Sequence, residues 1–359
     1  MSKAPEVFAV IMAGGSGTRF WPASRRLRPK QFLPISGGRA MIAETRERLE
    51  RLVPPERILV VTAESQIDLV REALPEIPRE NVLPEPLARN TAPCIAFAAH
   101  EIARRSRDSI QIVLPSDHVI RPREAFERTL AVAIEEAASG DVLVIFGVRP
   151  DHPATGYGYI EAGRELHARN GIPVLAVERF VEKPDRARAE KYLAGGRHLW
   201  NSGMFVWRTS AIQAALRAHA PLITQGFDRM DGGAELEEVY AELPSVPVDT
   251  AVLERARNIR MLPIDYSWSD VGSWAALSET REPDASGNFS SLSGGAALVA
   301  EDAQGCVVYA EKDELIALIG VRDIVVVRAG DATLVCPRER AQDVRRIVDR
   351  LSRERPRFL

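Results

Sequence analysis

An α/β fold on a mainly parallel sheet is the fold class that this sequence predicts, followed by a smaller β-rich region. In the first half of the chain, short apolar runs alternate with amphipathic helical patterns. Within each run, apolar residues occupy successive positions rather than every second one. Strands that are apolar on both sides are typical of a parallel sheet whose two faces are covered by helices.

The apolar runs predict four strands in this first half. They cover residues 7–12, 58–62, 110–114 and 142–148. Helical periodicity predicts three connecting helices, over 41–52, from 91 onwards, and over 123–138. The second of these begins with a threonine cap and a proline in the first turn, and the third is followed by Ser139–Gly140.

From about residue 157 the pattern changes. YGYIEA and VLAVERFVEKP predict antiparallel strands, and helices are expected at about 209–257. EPDASGNFSSLSGG is rich in turn-forming residues, so we place a domain boundary there, giving domains 1–282 and 283–359. The second domain contains the β-rich runs CVVYA, LIALIGV, DIVVVRAGD and ATLVC, and a final basic helix over 338–355.

Composition excludes several classes of protein. Of the 359 residues, 45% are hydrophobic and 27% charged, and the formal net charge is −3, which argues against disorder and against a broad nucleic-acid or membrane surface. Cys94, Cys306 and Cys336 are too widely spaced for a disulfide framework or a zinc pattern, which favours a reducing cytoplasm. We expect no signal peptide, because MSKAPEVFAV leads directly into a strand, and no membrane helix.

The stretch AGGSGTR follows the first predicted strand. It is neither a dinucleotide fingerprint, because Phe20 stands where the third glycine belongs, nor a P-loop, because the glycine spacing differs. Glycines at a strand end let backbone N–H groups approach phosphate oxygens, and Arg19 and Lys30 could neutralise their charge. For a bare GGxG pattern, however, an ordinary turn with a solvated basic face is the commoner explanation.

The longer stretch GGSGTRFWPASRRLRPKQFLP resembles the signature of the sugar-nucleotide pyrophosphorylases, and GTRFWP with PKQFLP resembles their mannose-1-phosphate guanylyltransferase branch. EPLARNTAPCIAFAA, LPSDHVI, HPATGYGYI, FVEKPD, WNSGMFVW and SWSDVGSW follow in the family's order, over roughly residues 7–274. The resemblance implies a Rossmann-like nucleotidyltransferase domain with a mixed, mainly parallel sheet. It also implies a small C-terminal domain, of which a left-handed β-helix is one form.

A metal site is suggested by two aspartates. Asp117 follows the strand IQIVL, at the end where open α/β sheets bind ligands, and Mg²⁺ takes one or two carboxylates together with substrate phosphates. Asp270 could be its partner, and Asp265 is taken as structural. Either residue of the pair could instead cap a turn or a helix, at equal odds for Asp117 on spacing alone. The resemblance makes Asp117 and Asp270 metal-binding, with Mg²⁺ or another divalent cation.

Base selection could depend on Glu85, which lies between two prolines. A carboxylate can accept both N1–H and N2–H of guanine, a donor pair that the other bases do not offer. From the residues alone, an ordinary loop acid is the commoner explanation. The resemblance implies that GTP is bound by Ala13, Gly14, Gly15, Gly17, Thr18, Arg19, Lys30, Glu85, Asn90 and Ser116, with Arg89 lining or bracing the pocket.

A sugar pocket is implied for the second half of the first domain. Lys183 could reach the phosphate of a sugar 1-phosphate, and Glu182 could accept sugar hydroxyls, although an exposed ion pair is the usual fate of such a dipeptide. The resemblance adds Asn201, Gly156 and Tyr157, and strand bulges remain an alternative for the glycines.

The expected activity is the transfer of GMP from GTP to mannose 1-phosphate, giving GDP-mannose and pyrophosphate. The catalytic residues that the resemblance implies are Arg19, Lys30, Asp117, Lys183 and Asp270. The alternatives are another hexose- or heptose-1-phosphate nucleotidylyltransferase, or a non-catalytic nucleotide-sugar-sensing relative, which should have lost some of these residues. We expect no additional isomerase domain, no nucleic-acid or membrane partner, and a homodimer built with the C-terminal domain.

Overall fold

A computed structural model describes residues 4–15, 17–35 and 38–359. Ser16 of the glycine-rich stretch therefore lies outside the described residues. The chain forms two compact units. The first unit consists of Met1–Gly14, Arg46–Pro115 and Ile120–Trp268, and the second unit of Gly15–Thr45, Ser116–Val119 and Ser269–Leu359.

The strands are β1 (Glu6–Ala13), β2 (Ile58–Ala63), β3 (Val82–Glu85), β4 (Ser109–Pro115), β5 (Val119–Arg121), β6 (Leu143–Val148), β7 (Tyr159–Arg169), β8 (Ile172–Val181), β9 (His198–Arg208), β10 (Ile259–Pro263), β11 (Ser267–Ser269), β12 (Phe289–Leu292), β13 (Ala297–Glu301), β14 (Val307–Ala310), β15 (Leu315–Ile319), β16 (Ile324–Ala329) and β17 (Ala332–Pro337). The helices are α1 (Met41–Glu47), α2 (Ile67–Ala73), α3 (Thr91–Arg105), α4 (Arg123–Ala138), α5 (Arg186–Gly195), α6 (Thr209–His219), α7 (Pro221–Asp231), α8 (Leu236–Glu242) and α9 (Val344–Glu354).

The first unit is built on a nine-stranded sheet in the order β3-β2-β1-β4-β9-β6-β10-β8-β7. Strands β3, β2, β1 and β4 pair in parallel, as do β6 and β10. Strands β9 and β8 pair antiparallel with their neighbours, so they run against the others. The predicted mixed, mainly parallel sheet is confirmed.

The burial of the central strands explains why they could be predicted from the sequence. Residues Ile58 to Val61 of β2 have no exposed surface, and β4 and β6 are buried along nearly all of their length. Helix α3 supplies a buried face to the same apolar core, from Ala92 to Ile102. The predicted cap, Thr91, is instead the first helical residue, and Asn90 is the N-cap. The Thr91 hydroxyl accepts a hydrogen bond from the backbone N–H of Val248, at 2.9 Å. Together with a bond from the backbone N–H of Ala92 to the carbonyl of Val246, at 3.1 Å, this contact brings the 246–248 segment onto the start of α3.

Two predicted helices differ from the structure. The helix predicted over 41–52 ends at Glu47, because the chain turns there: backbone N–H of Leu49 donates to the carbonyl of Arg46, and that of Val53 to the carbonyl of Leu49. This turn keeps Leu49 and Val53 buried, which produced the helix-like pattern. The predicted terminal helix is a 3₁₀ turn, Arg338–Asp343, followed by α9.

The second unit contains two small sheets, β12-β14-β16-β17 and β13-β15. Its pairs β12–β14, β14–β16 and β13–β15 are parallel and in register, as in the successive coils of a β-helix, and β17 closes the first sheet antiparallel. The expected β-helix-like character is confirmed.

Residues of the signature stretch belong to the core of this second unit. Phe20, Trp21 and Leu33 share one apolar cluster with Tyr309 and Val325. Trp21 Nε1 also donates to the carbonyl oxygen of Phe358, at 2.8 Å. The units therefore group residues differently from the predicted boundary after residue 282, which stays a prediction. Across the described ranges of the chain, we find no helix with the length and apolar character to cross a membrane.

Candidate active site

The glycine-rich turn after β1 leads into a short 3₁₀ helix, Thr18–Phe20. Gly17 has a φ of +59°, in the left-handed region that glycine adopts without strain. A Cβ atom there would lie 2.6 Å from Cβ of Lys30 and 2.9 Å from Oγ of Ser24. Gly17 therefore allows Lys30 to approach the turn. At Gly15, by contrast, an added Cβ would have no atom of the described residues within 4 Å.

Lys30 is buried, with 5% of its surface exposed, and its ammonium group is held by oxygen atoms from two distant parts of the chain. Nζ donates to the carbonyl oxygen and to Oδ2 of Asp117, both at 3.0 Å, and to the carbonyl oxygen of Asp270 at 2.6 Å. It also lies 5.3 Å from the centre of the Phe20 ring. The structure thus brings three predicted catalytic residues into direct contact.

The Asp117 carboxyl group is kept in its charged form. Burial alone would raise its pKa, but Lys30 beside it, helped by His118 and Arg19, holds the pKa of Asp117 below its ordinary value. Its side chain retains 37% exposure, so the carboxylate remains accessible to a ligand. A carboxylate that is accessible and ionised is better suited to binding a divalent cation than one that is buried in capping a turn or a helix.

Arg19 and Asp270 flank the same glycine. Arg19 Nη1 donates to the carbonyl oxygen of Gly272, at 3.3 Å. A Cβ atom on Gly272 would lie 3.1 Å from Oδ1 of Asp270 and 3.5 Å from Arg19 Nη1. The turn itself is supported by Ser269, whose hydroxyl accepts from Val271 N at 3.1 Å. The helix that follows is a 3₁₀ helix, Trp274–Glu279, whose N-cap residue is Ser273, so Asp270 does not cap it.

The donor set around Lys30 fits a metal ion that also binds substrate. Within the described ranges, no group of three or more histidine, cysteine or acidic side chains is arranged to hold a metal. Asp117 and Asp270 nevertheless both contact Lys30, the first through its carboxylate and the second through its carbonyl. Two carboxylates completed by phosphate oxygens and water are the usual environment of Mg²⁺. Asp117 with its partly exposed carboxylate and Asp270 with both carboxylate oxygens beside Gly272 supply donors of the type that this ion takes.

Glu85 is the last residue of β3, and only 7% of its surface is exposed. Its Oε1 accepts a hydrogen bond from the hydroxyl of Tyr240, at 3.2 Å, and its Oε2 would lie 3.2 Å from a Cβ atom on Gly14. Burial raises the pKa of Glu85 to about 7, although the Tyr240 hydroxyl works in the other direction. The carboxyl group of Glu85 is therefore buried and hydrogen-bonded, unlike that of an ordinary acidic residue in an exposed loop.

Arg89 and Asn90 have structural partners close to this carboxyl group. Arg89 Nε donates to the carbonyl of Tyr240 at 2.9 Å, and Nη2 donates to that of Ala241 at 2.7 Å, so Arg89 ties the loop after β3 to α8. Asn90 has a positive φ of +69°, and its Oδ1 accepts from Thr91 N at 2.8 Å, at the start of α3. Its predicted contact with nucleotide stays a prediction.

Glu182 and Lys183 follow β8 in the first unit. Lys183 Nζ donates to Glu182 Oε1 at 2.6 Å, so the ion pair named as an alternative is present. Two features of this dipeptide are not expected of an ordinary exposed ion pair. Lys183 has a φ of +46°, which is uncommon outside glycine, and a Cβ atom on Gly158 would approach Glu182 Oε2 to 2.7 Å. The backbone N–H of Glu182 donates to Glu254 Oε1, at 3.1 Å.

Asn201, in β9, is oriented by two hydrogen bonds. Its Nδ2 donates to Asp249 Oδ1 at 2.9 Å, and its Oδ1 accepts from Gly203 N at 3.2 Å. Asp249 opens a π-helical turn, Asp249–Leu253. Burial, followed by the charge of Glu182, raises the pKa of Asp249 to about 7. Glu182, Lys183, Asn201 and Asp249 therefore form one polar cluster.

The remaining predicted residues occupy varied environments. The Tyr157 ring lies 5.0 Å from the Trp200 ring and 5.5 Å from the Trp268 ring, and an added Cβ on Gly156 would meet no described atom within 4 Å. Ser116 is buried, with 3% exposure, and the carbonyl of Ala13 accepts from the hydroxyl of Thr62 at 3.1 Å. The carbonyl of Thr18 accepts from Trp21 N at 3.2 Å.

Comparison with known proteins adds independent findings. Residues 8–287 match the family model described as nucleotidyl transferase, and residues 297–351 match a MannoseP isomerase/GMP-like beta-helix domain. Mannose-1-phosphate guanylyltransferase of Klebsiella pneumoniae is 41% identical over 350 residues, covering 95% of this chain and 73% of the relative. Xanthan biosynthesis protein XanB of Xanthomonas campestris pv. campestris (strain B100) is 39% identical, covering 96% and 73%.

The chain belongs to the mannose-1-phosphate guanylyltransferase family. A solved structure agrees: the protein described as mannose-1-phosphate geranyltransferase from Thermus thermophilus superposes with a TM-score of 0.88 at 38% identity, over 97% of this chain and 99% of that one. Membership confirms the resemblance, the enzyme class and the predicted α/β fold with its β-helix-like C-terminal domain.

Sequence reasoning did not identify three residues of this mannose-1-phosphate guanylyltransferase family member: Tyr240, Asp249 and Glu254. Tyr240 lies in the helical pattern ELEEVYAEL, where it looks like an ordinary core aromatic. Asp249 follows Pro247 in VPVDTAVLE, a stretch that predicts a helix start. No local signal separates these residues from structural ones, because their partners lie far away in the chain.

Proposed function

We propose that this enzyme transfers GMP from GTP to α-D-mannose 1-phosphate, giving GDP-mannose and pyrophosphate. The observation that carries the proposal is the contact of Lys30 with Asp117 and Asp270. It joins the signature lysine to two acidic motifs that the resemblance assigns to the metal. Family membership supports the same reaction, since relatives of this chain are named mannose-1-phosphate guanylyltransferases.

The reaction is an in-line displacement at the α-phosphorus of GTP. A phosphate oxygen of mannose 1-phosphate forms the new P–O bond, and the bond from the α-phosphorus to the α,β-bridging oxygen breaks. The electron pair leaves with pyrophosphate. The attacking oxygen is already anionic at neutral pH, so no general base and no covalent enzyme intermediate are required. Catalysis then depends on positioning and on stabilising the charge that develops on pyrophosphate.

The residues near the glycine turn are assigned to the triphosphate. Backbone N–H groups of Gly15 and Gly17 approach phosphate oxygens, and Arg19 and Lys30 neutralise the departing β- and γ-phosphates. Asp117 and Asp270 would hold Mg²⁺, or another divalent cation, whose remaining positions substrate phosphates would fill. When bound, this ion supplies charge neutralisation on the phosphoryl groups. The phosphate assignment is supported by the space at the Cβ position of Gly15, where no described atom lies within 4 Å.

The base and the sugar are assigned to groups of the first unit. Glu85 accepts N1–H and N2–H of guanine, which its burial and its glycine neighbour support. Lys183 neutralises the phosphate of the sugar 1-phosphate. Glu182 and Asn201 accept or donate hydrogen bonds to sugar hydroxyls, and Gly156 with Tyr157 lines the pocket. The cluster around Asp249 supports this assignment, because buried polar groups need polar partners.

We further propose a homodimer formed through the second unit. The outer face of β13 and β15 exposes Val299 by 49%, Leu315 by 65% and Ile319 by 76%, while alternate residues of these strands pack inward. An exposed apolar sheet face of this kind is typical of an interaction surface. Light scattering of wild type and Ile319→Asp would test it: a dimer that the substitution dissociates supports the assignment, and a monomeric wild type contradicts it.

A cytoplasmic location is also proposed. Its support is the cysteine pattern: Cys94, Cys306 and Cys336 are all unpaired thiols, and the first two are buried. Free buried thiols of this kind are typical of a reducing compartment. Fractionation of the producing organism with an antibody against this chain would test the assignment.

The decisive experiment is a reaction matrix. Purified protein is incubated with Mg²⁺, each common nucleoside triphosphate, and mannose or glucose 1-phosphate, while pyrophosphate and nucleotide-sugar are followed together. Lys30→Ala and Asp117→Ala serve as site variants, and Lys191→Ala, an exposed lysine on α5, as the matched control. GDP-mannose formed only with Mg²⁺, lost in both site variants and kept in the control, is the expected result.

Other outcomes separate the alternatives. A nucleotide-sugar with another base or sugar would retain the mechanism and overturn the substrate assignment, with Glu85 as the first residue to reconsider. If the wild type releases no pyrophosphate under any pairing, the chain is a nucleotide-sugar-sensing relative instead.

A further inference from the structure

A buried tyrosine contacts the carboxyl group that we assign to the nucleobase. We propose that Tyr240 is a positioning residue for base selection: its hydroxyl holds the Glu85 carboxylate in the orientation that accepts the N–H donors of guanine. This inference rests on the proposed function, because it presupposes that Glu85 contacts the base. No motif of the sequence analysis included Tyr240, which lies in α8, about 155 residues from Glu85 in the chain.

The two oxygens of Glu85 have different neighbours. Oε1 accepts from the Tyr240 hydroxyl at 3.2 Å, whereas Oε2 lies on the side of Gly14, where a Cβ atom would approach it to 3.2 Å. Each carboxylate oxygen has two lone pairs, so Oε1 can accept from Tyr240 and from a base N–H at the same time. The tyrosine therefore fixes the rotation of the carboxylate and leaves both oxygens able to accept from guanine.

Tyr240 is itself held firmly. It has no exposed surface, and its ring packs edge-to-face against Phe97 and Phe227, with each pair of ring centres 6.0 Å apart. Arg89 donates to the carbonyls of Tyr240 and Ala241 at 2.9 and 2.7 Å. Since Arg89 lies four residues after Glu85 in the sequence, it ties the loop that carries the carboxyl group to the helix that carries the hydroxyl.

Among Glu85, Tyr240 and Cys94, the group that carries charge is the carboxylate of Glu85. The titratable groups that face it are Tyr240 from α8 and Cys94 from α3. Burial raises the pKa of Tyr240 far above its ordinary range, and the charge of Glu85 adds to this effect. Burial, and then Glu85, likewise raise the pKa of Cys94 well above its ordinary value. Both neighbours therefore stay neutral, and the Tyr240 hydroxyl keeps the proton that it donates to Glu85.

Removing the hydroxyl has two separable consequences. The carboxylate loses the bond that orients it, so its preference for a base with both donors decreases. It also loses a bond that stabilises its charged form, so its pKa rises further and GTP binding is lost at a higher pH than in the wild type. A purely structural tyrosine would weaken all nucleotides equally and would leave the pH dependence unchanged.

The test compares Tyr240→Phe with Glu85→Gln and with a matched control, Tyr309→Phe. Tyr309 is another buried tyrosine, and it donates to Glu311 in the second unit. Binding of GTP and of inosine triphosphate is measured by calorimetry with Mg²⁺ from about pH 6 to pH 8.5, a range that brackets the pKa of Glu85. Inosine triphosphate lacks the 2-amino donor. Turnover with mannose 1-phosphate is recorded in parallel.

For Tyr240→Phe we expect about tenfold weaker GTP binding, the scale of one hydrogen bond to a charged group, with kcat within about twofold of wild type. The ratio of GTP to inosine triphosphate affinity should fall, and the acidic loss of GTP binding should move to higher pH. Glu85→Gln should abolish the acidic loss, and Tyr309→Phe should keep the wild-type ratio of GTP to inosine triphosphate affinity and the wild-type pH profile.

Each remaining result has one meaning. Equal weakening of both nucleotides with an unmoved pH profile would overturn the role of Tyr240 and leave the proposed function intact. An unchanged nucleotide ratio in Glu85→Gln would overturn the base-reading role of Glu85, and with it that of Tyr240. A wild type that binds GTP but makes no nucleotide-sugar would overturn the proposed function while the calorimetric comparison still decides on Tyr240. A wild type that binds no GTP would overturn both.

Discussion

Lys30 donates to Asp117 twice, once to its carbonyl oxygen and once to its carboxylate, with Nζ 3.0 Å from each acceptor. A third bond reaches the Asp270 carbonyl at 2.6 Å. Each N–H of the ammonium group can thus have an oxygen partner, so these hydrogen bonds offset the cost of burying a lysine with 5% exposure. The same contacts make Lys30 a structural cation as well as a proposed phosphate ligand.

Lys30→Met should therefore impair both activity and stability. It removes the cation proposed to neutralise pyrophosphate, so kcat/KM should fall by a factor of about 10³, the scale of a lost charge-stabilising donor. Because Asp117 is 37% exposed, the stability loss should be limited, about 1–3 kcal/mol. Denaturant unfolding and the nucleotide-sugar assay measure the two effects. Lys191→Met is the control, and normal turnover in Lys30→Met would exclude a catalytic role.

Replacing glycines should separate the two functions of the turn. Gly17→Ala forces a Cβ atom to within 2.6 Å of Lys30 at a positive φ, so we expect a lower melting temperature and lost activity. At Gly15 an added Cβ meets no described atom within 4 Å, so Gly15→Ala should fold normally and raise KM for GTP alone. Thermal unfolding with Gly140→Ala as control, followed by kinetics, would show this. Equal melting temperatures for both turn variants would contradict the steric argument.

Glu85→Gln should change the dependence of stability on pH. The pKa of Glu85 is about 7 in the folded protein against 4.5 when unperturbed, so between those values the folded state binds more protons than the unfolded state. The wild type is therefore most stabilised by this group below its unfolded pKa, and it loses that contribution as pH rises through about 7. The full change amounts to roughly 3 kcal/mol.

Relative to the wild type, Glu85→Gln should consequently gain stability as pH increases from about 4.5 to 8, because glutamine does not ionise. Chemical denaturation at several pH values measures the difference, with Glu72→Gln, an exposed residue of α2, as the control. A constant difference across that range would show that Glu85 does not titrate as its burial demands.

Asp249→Ala should weaken binding of the sugar 1-phosphate and leave GTP binding alone. Without the carboxyl group, Asn201 loses the acceptor 2.9 Å from Nδ2, and its amide is free to rotate away from the sugar. KM for mannose 1-phosphate should rise about tenfold, in proportion to one buried hydrogen bond. Asp249→Asn, which keeps an acceptor oxygen, should recover most of the loss. Equal effects on both substrates would instead indicate general damage to the first unit.

The central strands could be predicted closely from sequence. The runs at 7–12, 58–62, 110–114 and 142–148 correspond to β1, β2, β4 and β6 with differences of one residue at most. These strands are buried on both faces, so their apolar composition is unbroken and bounded by turns. Leu49 and Val53 are buried by a turn and not by a helix, so at this point the apolar pattern predicted a helix that was too long.

The candidate site could be predicted where a motif carries it and not elsewhere. Arg19, Lys30, Asp117 and Asp270 were found because they lie in recognisable stretches of sequence. Tyr240 and Asp249 contact their partners across large separations in the chain, and neither belongs to one of those stretches. Their roles depend on the orientation of a neighbouring side chain, and that information exists only once the chain is folded.

Phe20, Trp21 and Leu33 of the signature stretch share an apolar cluster with Tyr309 and Val325 of the β-helix-like coils. The nucleotide signature and the C-terminal coils are therefore not interchangeable cassettes. A chimaera that joins the coils of one homologue to the transferase portion of another would place mismatched side chains in the cluster that contains Phe20, Trp21 and Leu33. Recombination points that respect this cluster, by exchanging residues 15–45, 116–119 and 269–359 together, should yield working hybrids far more often than a single junction near residue 282.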